Sequence, residues 1–115
     1  MRIRPLVSAV AASLMLALSL PAAHAKGTGY VFVSSENDNA VTVLDGKTHQ
    51  VVRTIQTGER PRDMKRSADG KTLYVIASND ERVDVIDIAR LEVVRSIPVG
   101  EDPEMFDFSP DGKRF

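Results

Sequence analysis

Displaced by 42 residues, the chain lands on itself: Val41, Val43 and Asp45 fall on Val83, Val85 and Asp87. The match continues through Val51-Val52-Arg53 on Val93-Val94-Arg95, Ile55 on Ile97, and Gly58, Glu59 and Pro61 on Gly100, Glu101 and Pro103. It ends with Ser67 and Asp69-Gly70-Lys71 on Ser109 and Asp111-Gly112-Lys113, giving 14 identities in 33 gapless pairs (41–73 against 83–115). Upstream, Tyr30-Val31 matches Tyr74-Val75 at an offset of 44, which predicts two extra loop residues in the first copy near Asn37-Asp38-Asn39. A unit of this length cannot bury its apolar face alone, and stacking against its neighbours buries a continuous core. Solenoids, propellers and arrays are built this way.

The content of the unit chooses among them. In the complete copy four short runs rich in Val, Ile, Tyr and Thr read as strands, at about Arg62–Arg66, Thr72–Ser78, Val83–Ile88 and Glu92–Val99. Asp69-Gly70 forms one turn, Asn79-Asp80-Glu81-Arg82 the next, and Gly-X-X-Pro leads into each new unit. No stretch after residue 25 holds a 3.6-residue apolar period long enough for a helix. The third strand, Val-Asp-Val-Ile-Asp-Ile, places apolar groups on both faces, as a sheet sandwiched between two others requires. A small sandwich or meander explains the strands but not their fixed recurrence. The fold class predicted is all-β: a β-propeller of four-stranded antiparallel blades, with about two blades in this chain.

The first copy starts at its second strand, near Tyr30, and the last residues, Asp111 to Phe115, run into a strand. Rings close with about four to eight blades. The pattern therefore predicts the N-terminal part of a longer propeller, with repeats at about 30–73 and 74–115, which alone exposes sticky faces.

Residues 1–25 read as an address. Arg2 and Arg4 precede an uncharged, mostly apolar run from Leu6 to Leu20, Pro21 ends it, and Ala23-His24-Ala25 offers small residues to a signal peptidase. Fifteen residues of helix span only ~22 Å, short of the ~30 Å hydrocarbon core, so a cleaved signal peptide is expected rather than an anchor. Cleavage after Ala25 leaves 26–115 as the mature propeller segment, with 13 basic and 16 acidic side chains and a net charge of −3. That balance gives no pull toward nucleic acid or, after cleavage, toward a membrane. The absence of cysteine removes disulfides, thiolate metal sites and c-type haem attachment. Export of a cysteine-free chain points to a bacterial periplasm.

No catalytic or metal-binding constellation stands out, and no cofactor is called for. The strand after each Gly-X-X-Pro is innermost in a propeller, so its first residues face the channel mouth. Arg60, Arg62 and Asp63 from one blade and Asp102 and Glu104 from the next are the candidate binding residues there, able to orient a small polar ligand or a protein partner. Ordinary solvated loop charge is the plainer account of the same five. Asp45 and Asp87 are read as caps of the turns that follow them rather than metal ligands. Glu36-Asn37-Asp38-Asn39 is oxygen-rich but lacks calcium-loop spacing. His49 is a solvent-facing turn residue, and Gly58 and Gly100 are turn formers.

Tyr74-Val75-Ile76-Ala77, Val83-Asp84-Val85-Ile86-Asp87, Val93 to Gly100 and Phe108-Ser109-Pro110-Asp111-Gly112-Lys113 together resemble the YVTN-type β-propeller repeat, over the whole mature chain. Gly100-Glu101-Asp102-Pro103-Glu104-Met105-Phe106, with Gly29 to Ser34, resembles more narrowly the exported β-propeller proteins associated with PQQ-dependent catabolism. That resemblance implies a non-catalytic periplasmic binding or scaffold accessory, partnered by a quinoprotein of alcohol oxidation. The alternative is a lactonase-like propeller hydrolase with its site in the central channel. A quinoprotein dehydrogenase proper is disfavoured, because those blades carry tryptophan motifs and this chain has no tryptophan.

Overall fold

The computed structural model describes residues 27–115; the predicted signal peptide at 1–25 lies outside them. Seven strands form two antiparallel sheets. β1 (Tyr30–Ser35), β2 (Ala40–Asp45) and β3 (Val51–Gln56) make the first, in that order. β4 (Pro61–Arg66), β5 (Thr72–Ala77), β6 (Arg82–Asp87) and β7 (Glu92–Pro98) make the second. A single 3-10 turn, Ser78–Asp80, joins β5 to β6. The four strands predicted for the complete copy are all present, with ends displaced by a residue or so.

The sheets stack face to face, as successive blades do. Val41, Val43 and Ile55 of the first sheet share one buried cluster with Leu73, Val75, Ile86 and Ile88 of the second, and Phe32, Met64, Leu91 and Val93 pack around it. Each fully buried aliphatic side chain contributes about 1.5–3 kcal/mol of transfer free energy, so this junction is the main source of cohesion. β6 shows the two-sided burial its sequence predicts: Val83, Asp84, Val85 and Ile86 are all buried. β3, an outer strand, buries only Ile55.

The backbone repeats more faithfully than the side chains. Left-handed residues recur 42 apart: Asn39 and Glu81 (φ 51° in both), His49 and Leu91 (60° and 55°), Arg60 and Asp102 (59° and 44°), Gly70 and Gly112 (72° and 70°). Non-glycine residues tolerate this region at a cost, so its recurrence shows that turn geometry is held by the repeat rather than by glycine alone.

Two expectations are corrected. The first copy has no two-residue insertion. Tyr30 pairs with Asp45 and Thr72 with Asp87, so β1 and β5 are equivalent at 42 residues, and both connecting loops have the same length. The Tyr-Val identity misleads because a slip of two residues keeps every side chain on its own face. The second concerns residues 101–115, read as the opening of a further blade. They contain no strand. The segment 103–109, equivalent to β4, has no ladder partner among the described residues, and a strand exists only as a pair.

Turn chemistry follows the acids. Asp45 Oδ1 accepts the backbone N–H of Lys47 (2.8 Å) and Thr48 (2.9 Å), and one repeat later Asp87 Oδ1 accepts that of Arg90 (3.0 Å). Asp69 Oδ1 accepts from Ser67 Oγ (2.6 Å) and the Lys71 N–H (3.0 Å), and Asp111 does the same with Ser109 and Lys113 (2.5 and 3.0 Å). Hydrogen bonds to the ionised form lower a carboxyl pKa. Asp45 is held below 3.8 chiefly by the Thr48 and Lys47 N–H groups, Asp69 chiefly by the Ser67 hydroxyl, and Asp111 chiefly by that of Ser109.

Candidate functional site

The link from β3 to β4 carries the first sheet's end into the second sheet's innermost strand. Asn39, just before β2, fastens it: Asn39 Oδ1 accepts the Arg60 N–H at 3.0 Å, and the Asn39 carbonyl accepts the Thr57 N–H at 2.9 Å. The Arg60 carbonyl accepts the Ser78 N–H at 3.1 Å. Arg60 is thereby locked in a left-handed conformation, and its side chain is thrown out beside that of Arg62, the second residue of β4.

Two carboxylates meet these guanidinium groups. Glu36, at the end of β1, lies 3.3 Å from Arg60 Nε and 3.2 Å from Arg62 Nε. Glu104, from the segment after β7, lies 3.9 Å from Arg60 Nη1 and also contacts Arg62 Nη1 directly. All four side chains are partly exposed. Four charges from three elements that are far apart in sequence form one balanced cluster on one rim.

Of the five candidate residues, the structure brings together Arg60, Arg62 and Glu104. Asp63 faces the other side of β4, where its carboxylate accepts the Phe106 N–H at 3.3 Å and lies 3.8 Å from Lys65 Nζ. The register explains this, since neighbours along a strand point to opposite faces. Asp102 is exposed and belongs to no ion pair among the described residues. Glu36 is the member that sequence reading missed, because it was weighed only with the oxygen-rich loop. That loop is otherwise engaged, with Asn39 Oδ1 on Arg60 and Asp38 Oδ2 on Ser35 Oγ (2.7 Å). No group of three potential metal ligands occurs among the described residues.

A second charged residue was missed. Asp84 in β6 is fully buried at 0% exposure. Its Oδ2 accepts the Gly58 N–H (2.7 Å), and its Oδ1 accepts Arg82 Nε (2.9 Å) and Ser96 Oγ (2.6 Å). It clamps the inter-sheet link to the second sheet, which is how a buried carboxylate becomes tolerable. Gly58 is therefore needed for close approach rather than for turning. A Cβ there would meet Asp80 Oδ2 at 2.7 Å, Ala77 Cβ at 2.8 Å and Arg82 Nε at 2.9 Å, while one on Gly100 would meet nothing within 4 Å.

A concavity of about 590 Å³, lined by Tyr74, Arg95, Ile97, Phe108 and Phe115 among others, lies on the second sheet away from the rim cluster. Tyr74, Phe108 and Phe115 meet there with ring centroids 5.3–6.4 Å apart.

Two stacked antiparallel sheets, a 42-residue period and a matching family model over residues 2–115 decide the family. The chain belongs to the YNCE-like beta-propeller family. Within reach of that family, the uncharacterised protein YncE of Salmonella typhi is 46% identical over 44 residues, which are 38% of this chain and 12% of that protein. The match thus covers about an eighth of that relative's length. Among solved structures, Kuenenia stuttgartiensis hydrazine synthase superposes with a TM-score of 0.69 at 32% identity, over 74% of this chain and 24% of that one. The dihydro-heme d1 dehydrogenase NirN, in complex with DHE, gives 0.67 at 26% identity, over 83% of this chain and 20% of that one.

Proposed function

We propose that this YNCE-like chain supplies two blades of an exported, periplasmic propeller that binds and positions a partner rather than transforming a substrate. The observation that carries this reading is the rim cluster of Arg60, Arg62, Glu36 and Glu104. It presents paired charges of both signs on one surface, suited to a protein surface or a small polar ligand carrying a carboxylate. Nothing in it couples a nucleophile to a base. The short resemblance at Gly100 to Phe106 supports a quinoprotein of PQQ-dependent alcohol oxidation as that partner. The similarity to hydrazine synthase and to the dihydro-heme d1 dehydrogenase NirN is compatible with an accessory place beside such enzymes.

The experiment is a binding titration against a purified PQQ-dependent alcohol dehydrogenase at low ionic strength. Saturable binding that weakens with added salt and with the Arg60→Ala/Arg62→Ala pair supports the proposal. Absence of binding, together with hydrolysis of a simple lactone, supports the lactonase-like alternative.

A further inference from the structure

Each backbone N–H from Thr57 to Arg60, on the approach to the rim, is held. The Asn39 carbonyl accepts from Thr57 (2.9 Å), Asp84 Oδ2 from Gly58 (2.7 Å), Asp80 Oδ2 from Glu59 (2.8 Å) and Asn39 Oδ1 from Arg60 (3.0 Å). The Arg60 carbonyl accepts both the Ser78 N–H (3.1 Å) and the Ser78 hydroxyl (3.3 Å), and the Arg62 carbonyl accepts the Ser34 hydroxyl (3.2 Å). The link and the start of β4 are thus fixed from both sheets. Arg60 is kept at a φ of 59°, which a non-glycine residue adopts only where its surroundings impose it. A backbone held this firmly sets the roots of two guanidinium groups in advance of any ligand, which lowers the ordering cost of binding.

What the arginine pair already holds shows what it is shaped to receive. Glu36 gives one carboxylate oxygen to each arginine, Oε2 to Arg60 Nε at 3.3 Å and Oε1 to Arg62 Nε at 3.2 Å. Glu104 repeats the arrangement on the Nη1 atoms, with Oε1 3.9 Å from Arg60 and Oε2 on Arg62. Two carboxylates from different elements bridge the same pair in the same way, so the guanidinium spacing matches the two oxygens of one carboxylate. The two acids are not equally held. Glu36 makes two close contacts directly after β1, whereas Glu104 reaches Arg60 only loosely, and contacts between partly exposed charges are worth little in water. Without Glu104, the group of Arg60, Arg62 and Glu36 carries a single net positive charge, which one incoming carboxylate neutralises.

We propose that Arg60 and Arg62 form a carboxylate receptor on the rim, with Glu36 as its fixed arm and Glu104 as an internal stand-in that an incoming carboxylate displaces. The inference rests on the reading of the rim cluster as a binding site, and adds to it the chemistry of the ligand and a group that competes with it. The carboxylate belongs to an acidic side chain of a protein partner or to a free organic acid; either bridges the two Nη1 atoms as Glu104 does. The planar fork of arginine suits this bridging, and the point charge of lysine does not replace it. No bond is made or broken, since binding exchanges one carboxylate for another.

Isothermal titration calorimetry of the full-length protein with succinate and, separately, with an N-acetylated triglutamate peptide is the test. Saturable binding of at least one probe is expected, and the tighter of the two names the source of the carboxylate. Arg60→Gln/Arg62→Gln is expected to weaken binding about tenfold or more, and Arg60→Lys/Arg62→Lys, which keeps the charge, to weaken it to a lesser degree. Glu104→Gln is expected to strengthen binding by about two- to fivefold, because it removes the competitor. Glu59→Gln removes the same charge from an exposed neighbour outside the cluster and is expected to change binding far less. Circular dichroism reports whether each variant keeps its strands; should the glutamine pair lose them, the lysine pair and Glu104→Gln carry the test. Failure of both probes to bind overturns the proposal, as does binding that Glu104→Gln leaves unchanged or weakens. Capture of the alcohol dehydrogenase that needs the arginine pair but is not strengthened by Glu104→Gln overturns it while the partner reading stands. Carboxylate binding with no binding of the dehydrogenase has the reverse meaning.

Discussion

Arg62 and Glu104 stand 42 residues apart in the chain and side by side in space. They are one repeat position occupied twice, first by a cation and then by an anion. The pair ties the segment after β7 back to β4, and the Asp63 carboxylate adds the Phe106 N–H on the other face. Both side chains of the pair are partly exposed, so the net worth of the contact is small, about 0.2–1 kcal/mol. Glu104→Ala is accordingly expected to leave the global unfolding midpoint nearly unchanged while it increases protease cleavage near the exposed Met105. Limited proteolysis at low and high salt checks this, and salt should reproduce part of the effect in the unmodified chain.

Asp84 is the opposite case. Truncating it strands the Gly58 N–H and the Ser96 hydroxyl and takes the partner from Arg82. Asp84→Ala is expected to cost about 3 kcal/mol in urea unfolding, against a change near zero for Asp107→Ala at an exposed site.

Gly58 and Gly100 are equivalent in sequence and unequal in surroundings. Gly58→Ala forces a Cβ within 3 Å of three neighbours and is expected to destabilise by about 1–3 kcal/mol. Gly100→Ala meets open space and is expected to change little. Thermal or urea unfolding of the two variants side by side measures the difference.

The turn aspartates set an acid limit. Asp45, Asp69 and Asp111 all have carboxyl pKa values below the ordinary 3.8 in the folded chain, through hydrogen bonds that favour the ionised form. Their stabilisation is complete above that value and is lost as pH falls through the lower folded values. The unfolding midpoint is therefore expected to decline on acidification below about pH 4. The Asp45→Asn/Asp69→Asn/Asp111→Asn variant should be less stable at neutral pH and show a shallower acid decline.

The strands and their stacking were legible because β-branched runs and turn residues are local signals, and their recurrence is a second copy of the same message. The two-sided burial of β6 was legible for the same reason. The rim was legible in part. Alignment superposes residue 62 on residue 104, but it says nothing of Glu36, which reaches Arg60 from 24 residues upstream on a different strand. Asp84 was hidden because its partners come from cross-strand register, Asp84 opposite Ser96, and from a link in the preceding sheet. The same repeat position in the first sheet holds Thr42 opposite Thr54, so comparison of the copies pointed away from it. The false insertion before β2 came from trusting a two-residue identity over a pairing pattern that sequence does not display.

The stacking of the two sheets bears everything else, and methyl-methyl nuclear Overhauser effects test it most directly. Cross-peaks linking Val41 and Val43 of β2 to Leu73, Val75 and Ile86 of the second sheet are the expected result. Methyl contacts confined to each sheet separately, with none across the junction, would contradict the account.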